Sequence, residues 1–162
     1  MNLKNLAGKD DLVIRQVVLD AAQKKNQIIH GTRALNEQIP TYIKRKTSDY
    51  DIITDNPKKS AREVVRALKK RLGNNFSVVK GKHAGTFKVK RGDKTIADYT
   101  QKKGEVKSKK ILGVRYKQIG TIKRGTQKLV KKKGSEFRRE KDMDTLERIR
   151  KVERMENIFN IL

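Results

Sequence analysis

Apolar residues fall in short groups along this chain, and their spacing changes from group to group. Leu12, Val13, Val17, Val18, Leu19, Ala21 and Ala22 recur at helical intervals behind Asp10 and Asp11. That pattern predicts a helix over about 11–25, ended by Lys24, Lys25 and Asn26. Gln27-Ile28-Ile29-His30 is a compact apolar run closed by Gly31, as a buried strand would be. Thr32 is then placed to cap a short helix with Ala34, Leu35 and Ile39 inward and Pro40 as its stop. Thr41 to Ser48 is polar and basic and reads as a loop. Asp49-Tyr50-Asp51-Ile52-Ile53 is the next strand. Asn56 caps, and Pro57 opens, a helix to about Leu72 that buries Ala61, Val64, Val65 and Leu68 at spacings of three and four.

Phe76 to Lys82 alternates as a strand does. Thr86 to Lys90, the turn Arg91-Gly92-Asp93 and Thr95 to Tyr99 then spell a β-hairpin. After Gln101 the pattern becomes helical. Ile119, Ile122 and Leu129 predict a helix within about 115–132, and Met143, Leu146, Ile149, Val152 and Met155 predict one over about 136–158. The expected fold is α/β or α+β, a mixed sheet flanked by helices with a basic helical C-terminal segment. It divides into a core, 1–101, and a segment, 102–162, packed on that core.

Composition changes the picture in one respect. The chain has 162 residues, enough for one domain, and a net charge of +24 from 42 Lys+Arg and 18 Asp+Glu. Solubility needs a magnitude of only about 2–8 in a small domain. The excess attracts polyanions, nucleic acid first among them. Between Gln101 and Lys133 there are thirteen cations and one acid, Glu105. The residues expected to hold a nucleic-acid backbone are Lys44, Arg45, Lys46, Lys109, Lys110, Arg115, Lys117, Lys123 and Arg124. Tyr42, Tyr50, Tyr99, Tyr116 and the four phenylalanines are candidates for base stacking, although most suit a core or strand face better; at 5% aromatic content no extended stacking platform is expected. Cysteine is absent, which excludes disulfides and thiolate metal sites. No apolar run approaches the length of a membrane span, and MNLKNLAGKDDLVIRQ lacks the pattern of a secretory leader, so an intracellular protein, cytoplasmic or viral in a host cell, is expected.

The chemistry starts at Asp49 and Asp51. One residue apart on a strand, both carboxylates project from the same face. Like charges so placed repel unless something neutralises them, and a hard divalent cation does this well. Upstream, Gly31-Thr32 stands where a strand meets a helix. Glycine lets a ligand approach the backbone, and free N–H groups at a helix start suit phosphate. His30 reads as a structural histidine, and His83 carries no motif.

Together, IIHGTRALNEQIP and KRKTSDYDII resemble the signature of the DNA polymerase β-like nucleotidyltransferase superfamily. The nearest resemblance is to the catalytic domain of poly(A) polymerase-like proteins of large DNA viruses. It covers about residues 26–100, with a weaker echo in FRREKDMDTLERI. Thr32 stands where the pattern more often has Ser, and the gap from Thr32 to Asp49 is longer than in the smallest members. The resemblance implies that Gly31 and Thr32 contact a nucleoside triphosphate; Arg33, next after the glycine motif, is a further candidate to reach a phosphate. It implies two Mg²⁺ or Mn²⁺ ions on Asp49, Asp51 and a third carboxylate from a later strand. Asp98 is preferred for that place over Asp93, whose Arg-Gly-Asp-Lys setting is a turn. The implied activity is transfer of a nucleotide to a nucleic-acid 3′ hydroxyl, RNA more than DNA, with no membrane partner. The alternatives are a non-catalytic nucleic-acid binder on the same scaffold and a minimal transferase that modifies a protein or tRNA.

Overall fold

The computed structural model describes residues 3–161, so Met1, Asn2 and Leu162 of the sequence read above lie outside it. In chain order the elements are α1 (Leu3–Lys24), β1 (Ile28–His30), α2 (Gly31–Asn36), a 3-10 turn (Thr41–Ile43), β2 (Tyr50–Thr54) and α3 (Pro57–Leu72). Then come β3 (Phe76–Lys80), β4 (Thr86–Arg91), β5 (Lys94–Gln101), β6 (Ser108–Ile111), β7 (Val114–Lys117), α4 (Ile119–Lys131), a second 3-10 turn (Glu136–Arg138) and α5 (Arg139–Ile161). The strands form one seven-stranded sheet in the order β3-β4-β5-β2-β1-β7-β6. β2 runs parallel to β5 and β7 parallel to β1, and the other neighbours are antiparallel, so the sheet is mixed as expected.

Alternation along the central strands separates two faces. Tyr50, Ile52 and Thr54 of β2 are buried, whereas Asp51 and Ile53 between them are half-buried. Ile52 joins Val89, Ala97 and Tyr99 from β4 and β5 in a core with Val18 and Ala22 of α1 and Ala61, Val64 and Leu68 of α3. α3 starts as the sequence indicates, with Pro57 at its first turn and Asn56 Oδ1 accepting from the Lys59 N–H at 3.2 Å. α1 ends at Lys24, and Asn26, with a φ of +53°, reverses the chain into β1.

Three expectations are corrected. α1 begins at Leu3, well before Asp11, because Asp10 does not open the helix; its Oδ2 pairs with Arg91 Nη2 at 2.7 Å. Thr32 does not cap α2: the cap position is His30, and no side chain bonds there. Most consequential, residues 108–117 are a β-hairpin, and α4 begins only at Ile119. Val114 and Tyr116 are the buried alternate residues of β7, which pairs with β1 through Ile28↔Arg115 and Ile29↔Tyr116. The sheet therefore takes strands from both sides of Gln101. α4 and α5 pack together through Ile122, Ile149 and Val152 and lean over the polar face of the sheet. No helix among the described residues is long and apolar enough to cross a membrane.

A candidate metal centre

Strand register places ionisable side chains in a row. Lys88 of β4 pairs with Asp98 of β5, Asp98 with Asp51 of β2, and Asp51 with His30 of β1. Residues paired across neighbouring strands share a face, so all four lie on the polar side. Asp49, just before β2, joins them. Asp49, Asp51 and Asp98 each offer a carboxylate oxygen, and these oxygens lie within 4.8 Å of one another. All three residues are half-buried. Asp93 lies in the β4–β5 turn and is exposed.

Mutual repulsion in this cluster is not fully relieved by the chain. Burial first, then the charges of Asp49 and Asp98, push the Asp51 carboxyl up to about 6, against the pull of Lys141 and Lys88. Lys88 Nζ stands 3.2 Å from Asp98 Oδ1 as an ion pair, yet that buried oxygen has no hydrogen-bond partner among the described residues. Thr47 Oγ1 donates to Asp49 Oδ1 at 3.3 Å. Close oxygen donors whose mutual repulsion Lys88 and Lys141 only partly offset are what a hard divalent cation fits. Beside them, Gly31 has φ +67°, and a Cβ there would fall 2.5 Å from Asp51 Oδ2. Only glycine allows the turn and the carboxylate to share this space.

A cleft of about 650 Å³ opens beside the row. Its floor includes His30, Gly31, Thr32, Asp51, Lys88 and Asp98, and its far wall comes from Ile122 and Thr126 of α4 and Lys141, Asp142 and Thr145 of α5. His30 Nε2 is buried without a partner among the described residues. Burial, helped by Lys117, lowers its pKa to about 4, so the ring is neutral at pH 7. Lys88 and Lys141 were missed in the sequence. Lys141 had a usable signal, since Arg138, Lys141, Asp142 and Thr145 repeat at helical intervals on one face. Lys88 had none, because a bulge at Val89/Lys90 shifts the hairpin register.

The other expected residues are dispersed. Gly31 and Thr32 line the cleft, but Arg33 turns toward α1: its guanidinium stacks 3.9 Å from the Tyr50 ring and its Nε donates to Asp49 O at 3.0 Å. It thus positions the start of β2. Arg45 and Lys46 lie beside the carboxylates, while Lys44 lines a separate groove. Lys109 and Lys110 are exposed on edge strand β6. Arg115 Nε donates to Asn26 Oδ1 at 2.6 Å, Lys123 pairs with Glu153 at 2.6 Å, and Arg124 Nη2 donates to Thr121 Oγ1 at 3.3 Å. Burial holds Lys117 below its usual pKa. Of the four tyrosines, Tyr50, Tyr99 and Tyr116 are core residues, and Tyr42 is 75% exposed.

No protein-family model matches the sequence, and no curated protein does. Among solved structures, the Megavirus polyadenylate synthase superposes with a TM-score of 0.75 at 18% identity, over 88% of this chain. This chain spans 31% of that protein's length. The likeness shows that the mixed sheet and its helices have a poly(A) polymerase-like fold. JHP933 from Helicobacter pylori matches at 13% identity and a TM-score of 0.48, over 76% of this chain and 56% of its own, too low to bear on the fold.

Proposed function

We propose that the protein is a metal-dependent nucleotidyltransferase that moves a nucleoside monophosphate from a triphosphate to the 3′ hydroxyl of a nucleic acid. The observation that carries this reading is the convergence of Asp49, Asp51 and Asp98 within 4.8 Å beside the Gly31 turn. Those carboxylates would hold two Mg²⁺ or Mn²⁺ ions. Bound there, the ions supply a lowered pKa for the attacking hydroxyl and charge neutralisation for the departing pyrophosphate.

The chain's own groups do the rest. Gly31 leaves room for the Asp51 carboxylate against the turn, and Thr32 lines the same cleft. Lys141 and Lys88 bring positive charge to the cleft, where it offsets a triphosphate. His30 lines the cleft floor as a neutral ring. RNA is the preferred acceptor because the structurally similar Megavirus protein is a polyadenylate synthase.

Radiolabelled NTP incorporation with Mg²⁺ or Mn²⁺, comparing wild type with Asp49→Ala and Asp51→Ala, tests the proposal. Loss of incorporation in both variants supports it, and equal incorporation in all three removes it. The Lys88–Asp98 pair favours one second reading, since it neutralises part of the cluster from within. A non-catalytic nucleic-acid binder would bind with a steep salt dependence, indifferent to EDTA and to the Asp substitutions.

A further inference from the structure

We propose that the groove between the 3-10 turn Thr41–Ile43 and α5 binds a single-stranded polynucleotide and leads it toward the carboxylates. Only the second clause rests on the transferase reading; the groove binds the strand whether or not the carboxylates catalyse.

The groove encloses about 650 Å³ and is walled by Tyr42, Lys44, Arg148, Lys151, Arg154 and Met155. Tyr42 is 75% exposed, and its hydroxyl donates to Met155 Sδ at 2.8 Å, on the facing wall. Two acids also line the groove, but both have partners. Asp144 pairs with Arg148 at 2.9 Å and Arg45 at 3.4 Å, and Glu147 with Arg150 at 3.0 Å. Lys44, Lys151 and Arg154 make no ion pair among the described residues. The groove is therefore cationic after its internal pairs are subtracted. Arg148 Nη1 is buried there with no hydrogen-bond partner among the described residues.

Continuity gives the direction. A cleft of about 360 Å³ contains Asp49, Asp51 and Asp98 together with Arg45, Lys46 and Lys141. Lys44 and Arg45 are consecutive, so one wall passes directly from groove to cleft. The other wall is α5, which rises about 21 Å from Lys141 to Met155. An exposed ring set among unpaired cations matches alternating bases and phosphates. Base–aromatic stacking needs a free base face, which a duplex hides. An acidic peptide would use the cations and leave the ring without a role.

Fluorescence anisotropy with a labelled single-stranded oligonucleotide of about fifteen residues tests this, in EDTA and without NTP. Tyr42→Ala is expected to weaken binding about tenfold, and Tyr42→Phe to keep it, because the ring and not the hydroxyl stacks. Lys151→Ala/Arg154→Ala is expected to reduce the slope of log affinity against log salt by about 1.4, at about 0.7 per phosphate contact. Lys109→Ala/Lys110→Ala, on edge strand β6, is expected to reduce it far less. Wild-type binding by Tyr42→Ala overturns the proposal. So does a slope change as large for the edge-strand pair as for the groove pair. Because metal and triphosphate are absent from the assay, a failed incorporation experiment leaves this result standing, and a failed groove leaves the carboxylate site standing.

Discussion

Replacing Asp51 with Asn is expected to stabilise the metal-free protein. Asp51 is held beside Asp49 and Asp98 in a half-buried site, and its carboxyl is raised from an ordinary 3.8 to about 6 by burial and those two charges. The relief that Lys141 and Lys88 give is already within that balance. A folded-state pKa above the unfolded one means the native protein binds the proton more tightly. Stability contributed by this group is thus full below 3.8 and is lost as pH rises through about 6. At 1.36 kcal/mol per pH unit, the ionised carboxylate costs about 3 kcal/mol at pH 7.5 and about half that at pH 5. For a chain of this size, about 3 kcal/mol corresponds to a rise in Tm of roughly 6–12 °C. Thermal unfolding followed by circular dichroism in EDTA reads the difference between wild type and Asp51→Asn at both pH values. Added Mg²⁺ should then raise the wild-type Tm and leave the variant's unchanged, since a ligand stabilises only the state that binds it. A variant Tm equal to or below wild type at pH 7.5, or a gain independent of pH, would refute the reasoning.

Three other changes probe separate parts of the account. His30→Leu removes a buried ring whose pKa lies near 4, depressed by desolvation and by Lys117; a depressed base loses stability as pH falls from 6.5 toward 4. Urea melts at pH 6.5 and 4.5 should show the variant losing about 2 kcal/mol less than wild type, and an identical decline would count against a neutral buried His30. Gly31→Ala forces a Cβ to within 2.5 Å of Asp51 Oδ2 at φ +67°. It should cost about 1–2 kcal/mol and abolish the Mg²⁺-dependent rise in Tm, and an undiminished rise would show that the turn does not set the carboxylate. Leu112→Asn replaces a 97% exposed side chain held at φ +49° with a residue that tolerates that conformation. It should raise stability by about 0.5–1 kcal/mol in chemical denaturation, and a loss would contradict the strain assigned to the turn.

Legibility in the sequence follows the range of the interactions that decide each feature. Local signals were readable. Asn56-Pro57 opens α3 where a side-chain cap and a fixed φ both favour a helix start, and Gly92 marks the β4–β5 turn. The i, i+2 rule put Asp49 and Asp51 on one side, and Asp98 was reached through family resemblance and its place in the hairpin. Its partner Lys88 was hidden. Counting back from the turn would pair Asp98 with Phe87, but the bulge leaves Ile96 unpaired and brings Lys88 opposite Asp98. The β6–β7 hairpin was hidden for a related reason. Its turn is Leu112-Gly113, with φ values of +49° and +85°. That geometry is usually announced by Asn-Gly or Asp-Gly, and exposed leucine gives no such notice. Its pairing with β1 is a contact between distant segments that periodicity cannot register. The basic run after Gln101 looked like one surface because charge was read along the chain. In the fold its cations are divided among an edge strand, a strand buried in the sheet and a helix paired with α5.

The central claim is that Asp49, Asp51 and Asp98 together hold divalent cations. Titration with Mn²⁺, with the free ion read by electron paramagnetic resonance, tests it without reference to catalysis. Wild type should remove Mn²⁺ from solution saturably, and an Asp49→Asn/Asp51→Asn/Asp98→Asn variant with an unchanged circular dichroism spectrum should not. Superimposable titration curves for the two proteins would contradict the claim.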